Sequence, residues 1–165
     1  MSAEPAELSP PLQALLKLLS SDPTAPVSAS TRPRAREVHI ADSLSALGFE
    51  QLRGAGRVVA DLGSGAGLPG LVLAAELPGA RVDLIESVGR KCEFMSAASE
   101  RAGIENVRVI NTRSEEHAAG AGREAYDVVT ARAVGRLATL AELASPLLRE
   151  GGTLIAWKGR RDADE

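Results

Sequence analysis

Aromatic side chains are nearly absent from this 165-residue chain: Phe49, Phe94, Tyr126 and Trp157 are the whole set. A platform that stacks successive bases of single-stranded nucleic acid needs several such rings, so that mode of binding is excluded and aliphatic side chains must fill the core. Cysteine is scarcer still. Cys92 alone excludes an internal disulfide, and together with the two histidines, His39 and His117, it makes too few ligands for a zinc centre. Cys92 and His117 are therefore read as structural. No apolar run approaches the length that crosses a bilayer and no secretory pattern is seen, so the expectation is a cytoplasmic protein with no membrane partner. A basic excess is missing too. The net charge is −3 at pH 7, and any contact with nucleic acid has to come from a local patch rather than from bulk attraction.

What the chain does contain is periodicity. Its length and composition suit one domain over 1–165. Leu12, Leu15, Leu16 and Leu19 fall at helical spacing, and the Pro/Ser/Thr stretch at 20–33 reads as loop, so 1–35 is expected to be partly mobile. Ile40, Leu44 and Leu47 form one stripe of a helix over 36–47 that stops at Gly48, which makes 36–56 a helical cap. From Arg57 onward short apolar runs alternate with amphipathic ones. Strands are expected at 57–62, 81–86, 107–111, 126–131 and 153–157, with helices near 70–76, 89–102 and 137–148. Repeated βαβ units imply the α/β class: a Rossmann-like, mostly parallel sheet over 57–165 with helices on both faces. In such sheets ligands lie beyond the carboxyl ends of the strands, here Asp61 to Gly67, Glu86, Thr112 to Glu115, Arg132 and Lys158. Tyr126 and Asp127 open a strand and are assigned to packing and the preceding turn.

The run Asp61-Leu-Gly63-Ser-Gly65-Ala-Gly67-Leu68-Pro69-Gly70 sits between the first strand and the next helix. Glycines reach positive φ without penalty and let a ligand approach the backbone, and Pro69 suits a first helical position. Gly65, Gly67 and Gly70 also satisfy the dinucleotide fingerprint, with Glu86 at the distance expected of a ribose acceptor. Two features favour S-adenosylmethionine over a nicotinamide or flavin. Asp61 would repel a pyrophosphate but attract an ammonium or sulfonium. About fifty residues also precede this strand, whereas nicotinamide enzymes usually begin with it. Asp61 has a second reading as a cap of the next helix, and the glycines as turn formers.

The ordered set Asp61-x-Gly-x-Gly-x-Gly-Leu-Pro-Gly70, Glu86-Ser87-x-Gly-Arg-Lys91, Asn111-x-Arg113-x-Glu115-Glu116, Arg132-Ala133 and Trp157-Lys158-Gly159 resembles the bacterial 16S ribosomal RNA guanine-N7 methyltransferases, once called glucose-inhibited division protein B. His39-Ile-Ala-Asp42-Ser43-Leu44 is similar to that family's N-terminal helix, and residues 28–33, Ser-Ala-Ser-Thr-Arg-Pro, stand where the family has an Asn-Leu-Thr element. The resemblance implies a class I methyltransferase fold and S-adenosylmethionine as cofactor. It places Gly63 and Leu68 against the cofactor, Ser114 and Glu115 beside its adenine, and Arg132 at its methyl end. It implies 16S ribosomal RNA in the small subunit as partner. Guanine N7 carries a free lone pair and no proton, so no general base is expected; Arg132 would position the acceptor, and Arg113, Lys158, Arg160 and Arg161 would hold the RNA backbone. His39, Asp42 and Ser43 share one helical face, either as a surface cluster or as pocket wall. A full sheet of this class has two more strands than can be placed here, so a C-terminally truncated core with an open edge is expected, acting as a monomer. A nicotinamide-dependent oxidoreductase and a non-catalytic cofactor- or RNA-binding protein are the alternatives.

Overall fold

The computed structural model describes residues 7–132 and 135–157. Its centre is β1, Val58–Leu62, where two adjacent valines favour extended backbone and the last four residues are buried. It is flanked by β2 (Arg81–Glu86) and β4 (Tyr126–Arg132), with β3 (Val107–Asn111) and β5 (Leu148–Trp157) outside them. The order is β3-β2-β1-β4-β5 and every pairing is parallel. A strand buried on both faces has no polar side, which is why β1 reads as a nearly continuous apolar run; β2 is interrupted by Asp83 and ends on Glu86. The strand order reverses between β1 and β4, so the crevice opens where Asp61 and Arg132 leave the sheet.

Two apolar layers cover the sheet. On one face α1 (Pro10–Ser21), α3 (Gly70–Glu76) and α4 (Gly89–Ala102) pack through Leu12, Leu15, Leu71, Phe94 and Met95. On the other, α5 (Ser114–Ala119) and α6 (Leu137–Ala144) pack through Ala118, Leu140 and Ala144. Leu12, Leu15 and Leu19 of α1 are fully buried. At about 1.5–3 kcal/mol for each such side chain, they dock α1 firmly on the core. Residues 22–32 are tied down as well: Arg32 donates to the Asp22 and Ala25 carbonyls, and Arg101 on α4 pairs with Asp22 at 3.1 Å.

The cap helix differs from a regular one. Residues Arg36–Ala41 form a wide π-type turn that runs into α2 (Asp42–Leu44) and a tighter turn at Ser45–Gly48. Three other boundaries move. α5 escapes the periodicity because six residues span less than two turns. α6 ends at Ala144 rather than near 148, since Pro146 follows and the residue before a proline resists helical geometry. β5 begins at Leu148 rather than Thr153: Tyr126 pairs with Leu148 but Val128 with Thr153, so residues 149–152 bulge out of register. Gly151, at φ +76, absorbs that bulge. Among the described residues no helix is long and apolar enough to cross a membrane.

Candidate cofactor cleft

The glycine loop between β1 and α3 is wired to the neighbouring strand. Gly63 and Ser64 both donate their N–H to the Ile85 carbonyl, at 2.9 and 3.1 Å, and the Gly65 N–H donates to Glu86 Oε2 at 3.0 Å. Gly63, Gly65 and Gly67 stand at φ +64, +58 and +82, the left-handed region that favours glycine. Their neighbours separate their roles. A Cβ at Gly67 would strike Leu71, and one at Gly70 would strike Leu84 and the Asp61 carboxylate, so both are small to let α3 approach the sheet. At Gly65 the only atom within 4 Å would be the Gly63 carbonyl oxygen, at 3.9 Å. That glycine faces open space, as a ligand cradle requires. Pro69 precedes the helix instead of occupying its first position, and its carbonyl accepts from Leu73 at 3.0 Å.

Glu86 ends β2 and is buried, with Val88 N–H donating to Oε1 at 2.9 Å and Lys91 Nζ 4.0 Å from Oε2. Each carboxylate oxygen still has a lone pair for a hydroxyl donor. Glu86 lines a cleft of ≈190 Å³ together with Gly63, Ser87, Arg113, Ser114 and Glu115. Ser114 Oγ donates to Glu115 at 3.0 Å, and the Glu115 carboxyl is held below its ordinary value by its own backbone N–H and by Ser114. A larger hollow of ≈540 Å³ lies between residues 23–26 and α4, but no strand end reaches it, so position rather than volume marks the site.

Asp61 is fully buried and does not line the cleft. Oδ2 accepts from Gly70 N–H at 3.1 Å, capping α3, and Oδ1 accepts from Thr130 Oγ1 at 2.8 Å. Burial pushes its pKa up to about 6. The capping arrangement is therefore the one realised. Leu68 is buried in the core layer, and its N–H bonds to the Ser64 carbonyl at 3.1 Å.

Arg132, at the end of β4, is not among the residues that line this cleft. Its guanidinium bonds the Val38 carbonyl at 3.0 Å and His39 Nδ1 at 3.1 Å, and lies 3.5 Å from the Asp42 carboxylate. Nη1 is buried without a hydrogen-bond partner among the described residues. Trp157 Nε1 donates to the Asp42 carbonyl at 3.0 Å, so the cap helix, β4 and β5 meet here, with His39 buried and Asp42 half-exposed. Arg113 is exposed at the cleft rim. Lys158, Arg160 and Arg161 lie outside the described residues. Sequence reasoning missed Thr130 and the grip of His39 on Arg132. The first follows from a register in which Asp61 stands opposite Thr130, and nothing local in either strand reveals it.

These residues fit S-adenosylmethionine on two counts: an open glycine cradle and an acidic strand end with acceptor capacity left. The chain resembles, among solved structures, a SAM-dependent methyltransferase from Thiobacillus denitrificans in complex with S-adenosyl-L-homocysteine, at 22% identity and TM-score 0.55 over 88% of this chain and 54% of that one. The fold is thus the Rossmann-like class I methyltransferase fold. Ribosomal RNA small subunit methyltransferase G of Rubrobacter xylanophilus is 53% identical over 73% of this chain and 46% of its own length; that of Syntrophomonas wolfei is 42% identical over 84% and 64%. The chain thus spans about half to two thirds of the length of these curated relatives. The family model described as GidB, rRNA small subunit methyltransferase G, matches residues 24–165. With that match over most of its length, the chain belongs to the GidB family.

Proposed function

We propose that this chain carries the cofactor-binding core of an enzyme that transfers a methyl group from S-adenosylmethionine to N7 of a guanine in 16S ribosomal RNA of the small subunit, in the cytoplasm. The observation that carries this reading is the Gly65–Glu86 cradle at the switch point of a chain in this family. A nicotinamide reading loses its ground with the family match. When bound, S-adenosylmethionine supplies an electrophilic methyl on a positively charged sulfur.

Each residue has a task. Glu86 accepts from ribose hydroxyls with the lone pairs that Gly65 and Val88 leave free. Gly63 presents backbone to the cofactor from the cleft and Gly65 from the open side of the loop, Leu68 backs the loop with its N–H bonded to Ser64, and Ser114 and Glu115 flank the adenine at the mouth of the cleft. Asp61 holds the loop to the sheet, and when ionised it adds negative potential behind the cofactor's cationic end. Arg132, anchored through Nη2 on Val38 and His39 and with Nη1 facing Asp42, positions the guanine or the cofactor at the methyl end. No residue is needed to remove a proton from N7, so orientation carries the catalysis, for which about 7–11 kcal/mol is attainable. Arg113 at the rim, with Lys158, Arg160 and Arg161 beyond it in sequence, holds phosphates of the RNA. N7 is hidden in the deep groove of duplex RNA, so the acceptor is an unpaired guanine.

Calorimetric titration with S-adenosylhomocysteine and with NADH tests the cofactor: binding of the first and not of the second is expected, and the reverse overturns the reading. Mass analysis of ribosomal RNA incubated with labelled S-adenosylmethionine tests the reaction. Arg132→Ala is expected to abolish transfer while keeping most thermal stability. Cofactor binding with unchanged guanine would favour a non-catalytic binder.

A further inference from the structure

The guanidinium of Arg132 is held by a histidine to which the proposed reaction assigns no task. Nη2 lies 3.1 Å from His39 Nδ1, and because arginine only donates, Nδ1 must be the acceptor. The ring proton then sits on Nε2, 3.1 Å from Thr31 Oγ1, and the Thr31 hydroxyl donates in turn to the Ser28 carbonyl at 3.0 Å. A chain of donors thus runs from the end of β4 through His39 to the turn at 28–31. His39 is buried, and Ser43 Oγ donates to its carbonyl at 2.6 Å, which fixes the wide turn that carries it. Three groups face the ring: Arg132 from β4, Asp42 from the cap helix and Thr31 from the turn.

We infer that His39 is a positioning residue, whose neutral Nε2–H form holds the Arg132 guanidinium in its observed pose, with Nη1 3.5 Å from the Asp42 carboxylate, and whose protonation releases it. A proton on Nδ1 removes the acceptor and sets two cations against each other 3.1 Å apart. Burial and Arg132 both favour the neutral ring, and Asp42 opposes them. The inference rests on the function proposed above for its kinetic consequence: methyl transfer falls on the acid side as His39 gains its proton. Asp61, with its pKa pushed up to about 6, also titrates on the acid side, so variants have to separate the two.

Long-range nitrogen–proton NMR of the chain without cofactor reads the ring directly, since only two histidines are present. The resonance that disappears in His39→Asn is expected to show the Nε2–H tautomer, to titrate below the ordinary histidine value, and to titrate higher in Arg132→Met. The kinetic arm compares two replacements. His39→Leu offers no acceptor and is expected to lower kcat about tenfold or more at every pH, with a smaller change in KM for S-adenosylmethionine. In His39→Asn the amide oxygen can accept from Arg132 and cannot titrate, so it restores most of what leucine loses and removes the His39 part of the acid limb. An Nδ1–H tautomer, a titration indifferent to Arg132→Met, or an asparagine variant no better than the leucine one overturns the inference. If the unaltered chain neither binds S-adenosylhomocysteine nor transfers methyl, the proposed function fails, while the tautomer and its coupling to Arg132 are still decided by the NMR arm.

Discussion

Gly65 and Gly70 are both glycine for opposite reasons, and two substitutions read the difference. Gly65→Val puts a side chain into open space at φ +58, where an L residue costs about 1–2 kcal/mol. The chain should fold with a modestly lower Tm, yet bind S-adenosylhomocysteine at least about tenfold more weakly, because the isopropyl group occupies the volume the cradle leaves for a ligand. Gly70→Ala instead drives a methyl into Leu84 and the Asp61 carboxylate, and calorimetric melting should show the larger loss of stability. Asp61 carries the pH argument. Its folded pKa of about 6 lies above the unfolded value of 3.8, so its contribution is fully present below pH 3.8 and is lost as pH rises through 6. At neutral pH the buried charge costs on the order of 3 kcal/mol. Asp61→Asn can keep both contacts: its oxygen accepts from Gly70, and its amide donates to Thr130, whose hydroxyl can turn to the Ala60 carbonyl at 3.4 Å. Denaturant titrations should therefore show the variant gaining on the parent above pH 6 and not at pH 4. A loss of cofactor affinity alongside that gain would show that the charge serves the ligand rather than the fold.

At the scale of elements, the short helix α5 is placed by a buried polar chain rather than by apolar periodicity. The Tyr126 hydroxyl donates to Asp83 at 2.8 Å, so His117, 2.7 Å away, must donate its Nε2–H to the same oxygen, and Arg108 closes the set on Asp83 at 2.6 Å. Burial keeps the His117 ring neutral and pushes the Tyr126 hydroxyl up. Tyr126→Phe leaves the His117 donor unpaired and should cost about 1–3 kcal/mol in chemical denaturation. Cofactor affinity should fall too, because Ser114 and Glu115 begin the helix that His117 anchors. This is where the sequence stopped being informative. The strands 81–86 and 107–111 and the helices 70–76 and 89–102 were legible because valine, leucine and isoleucine cluster in the two short strands and both helices open on a glycine, and they appear with those bounds. The glycine loop and Glu86 were legible because their chemistry is local. α5, the partner Thr130 and the His39–Arg132 contact were not, since each depends on a register or a crossing that brings together residues far apart in the chain.

For the whole molecule, strand order sets where the fold gives way. β1 is bonded on both edges, whereas β3 and β5 each pair with a single strand among the described residues. β5 is the irregular edge: it carries the slip opposite Tyr126 and Val128 and it includes two glycines. An edge strand also offers unpaired N–H and C=O groups to any chain that can align with it. Native-state hydrogen exchange followed by mass spectrometry should therefore rank the strands. Amides of β1 should exchange only through global unfolding, those of β2 and β4 close behind, and those of β5 first, through local opening. Raising the protein concentration tests the edge itself. Protection of β5 that climbs with concentration means a second copy pairs there. That result, or protection of β5 equal to that of β1 at high dilution, would displace β5 as the site of first opening and move that site to β3.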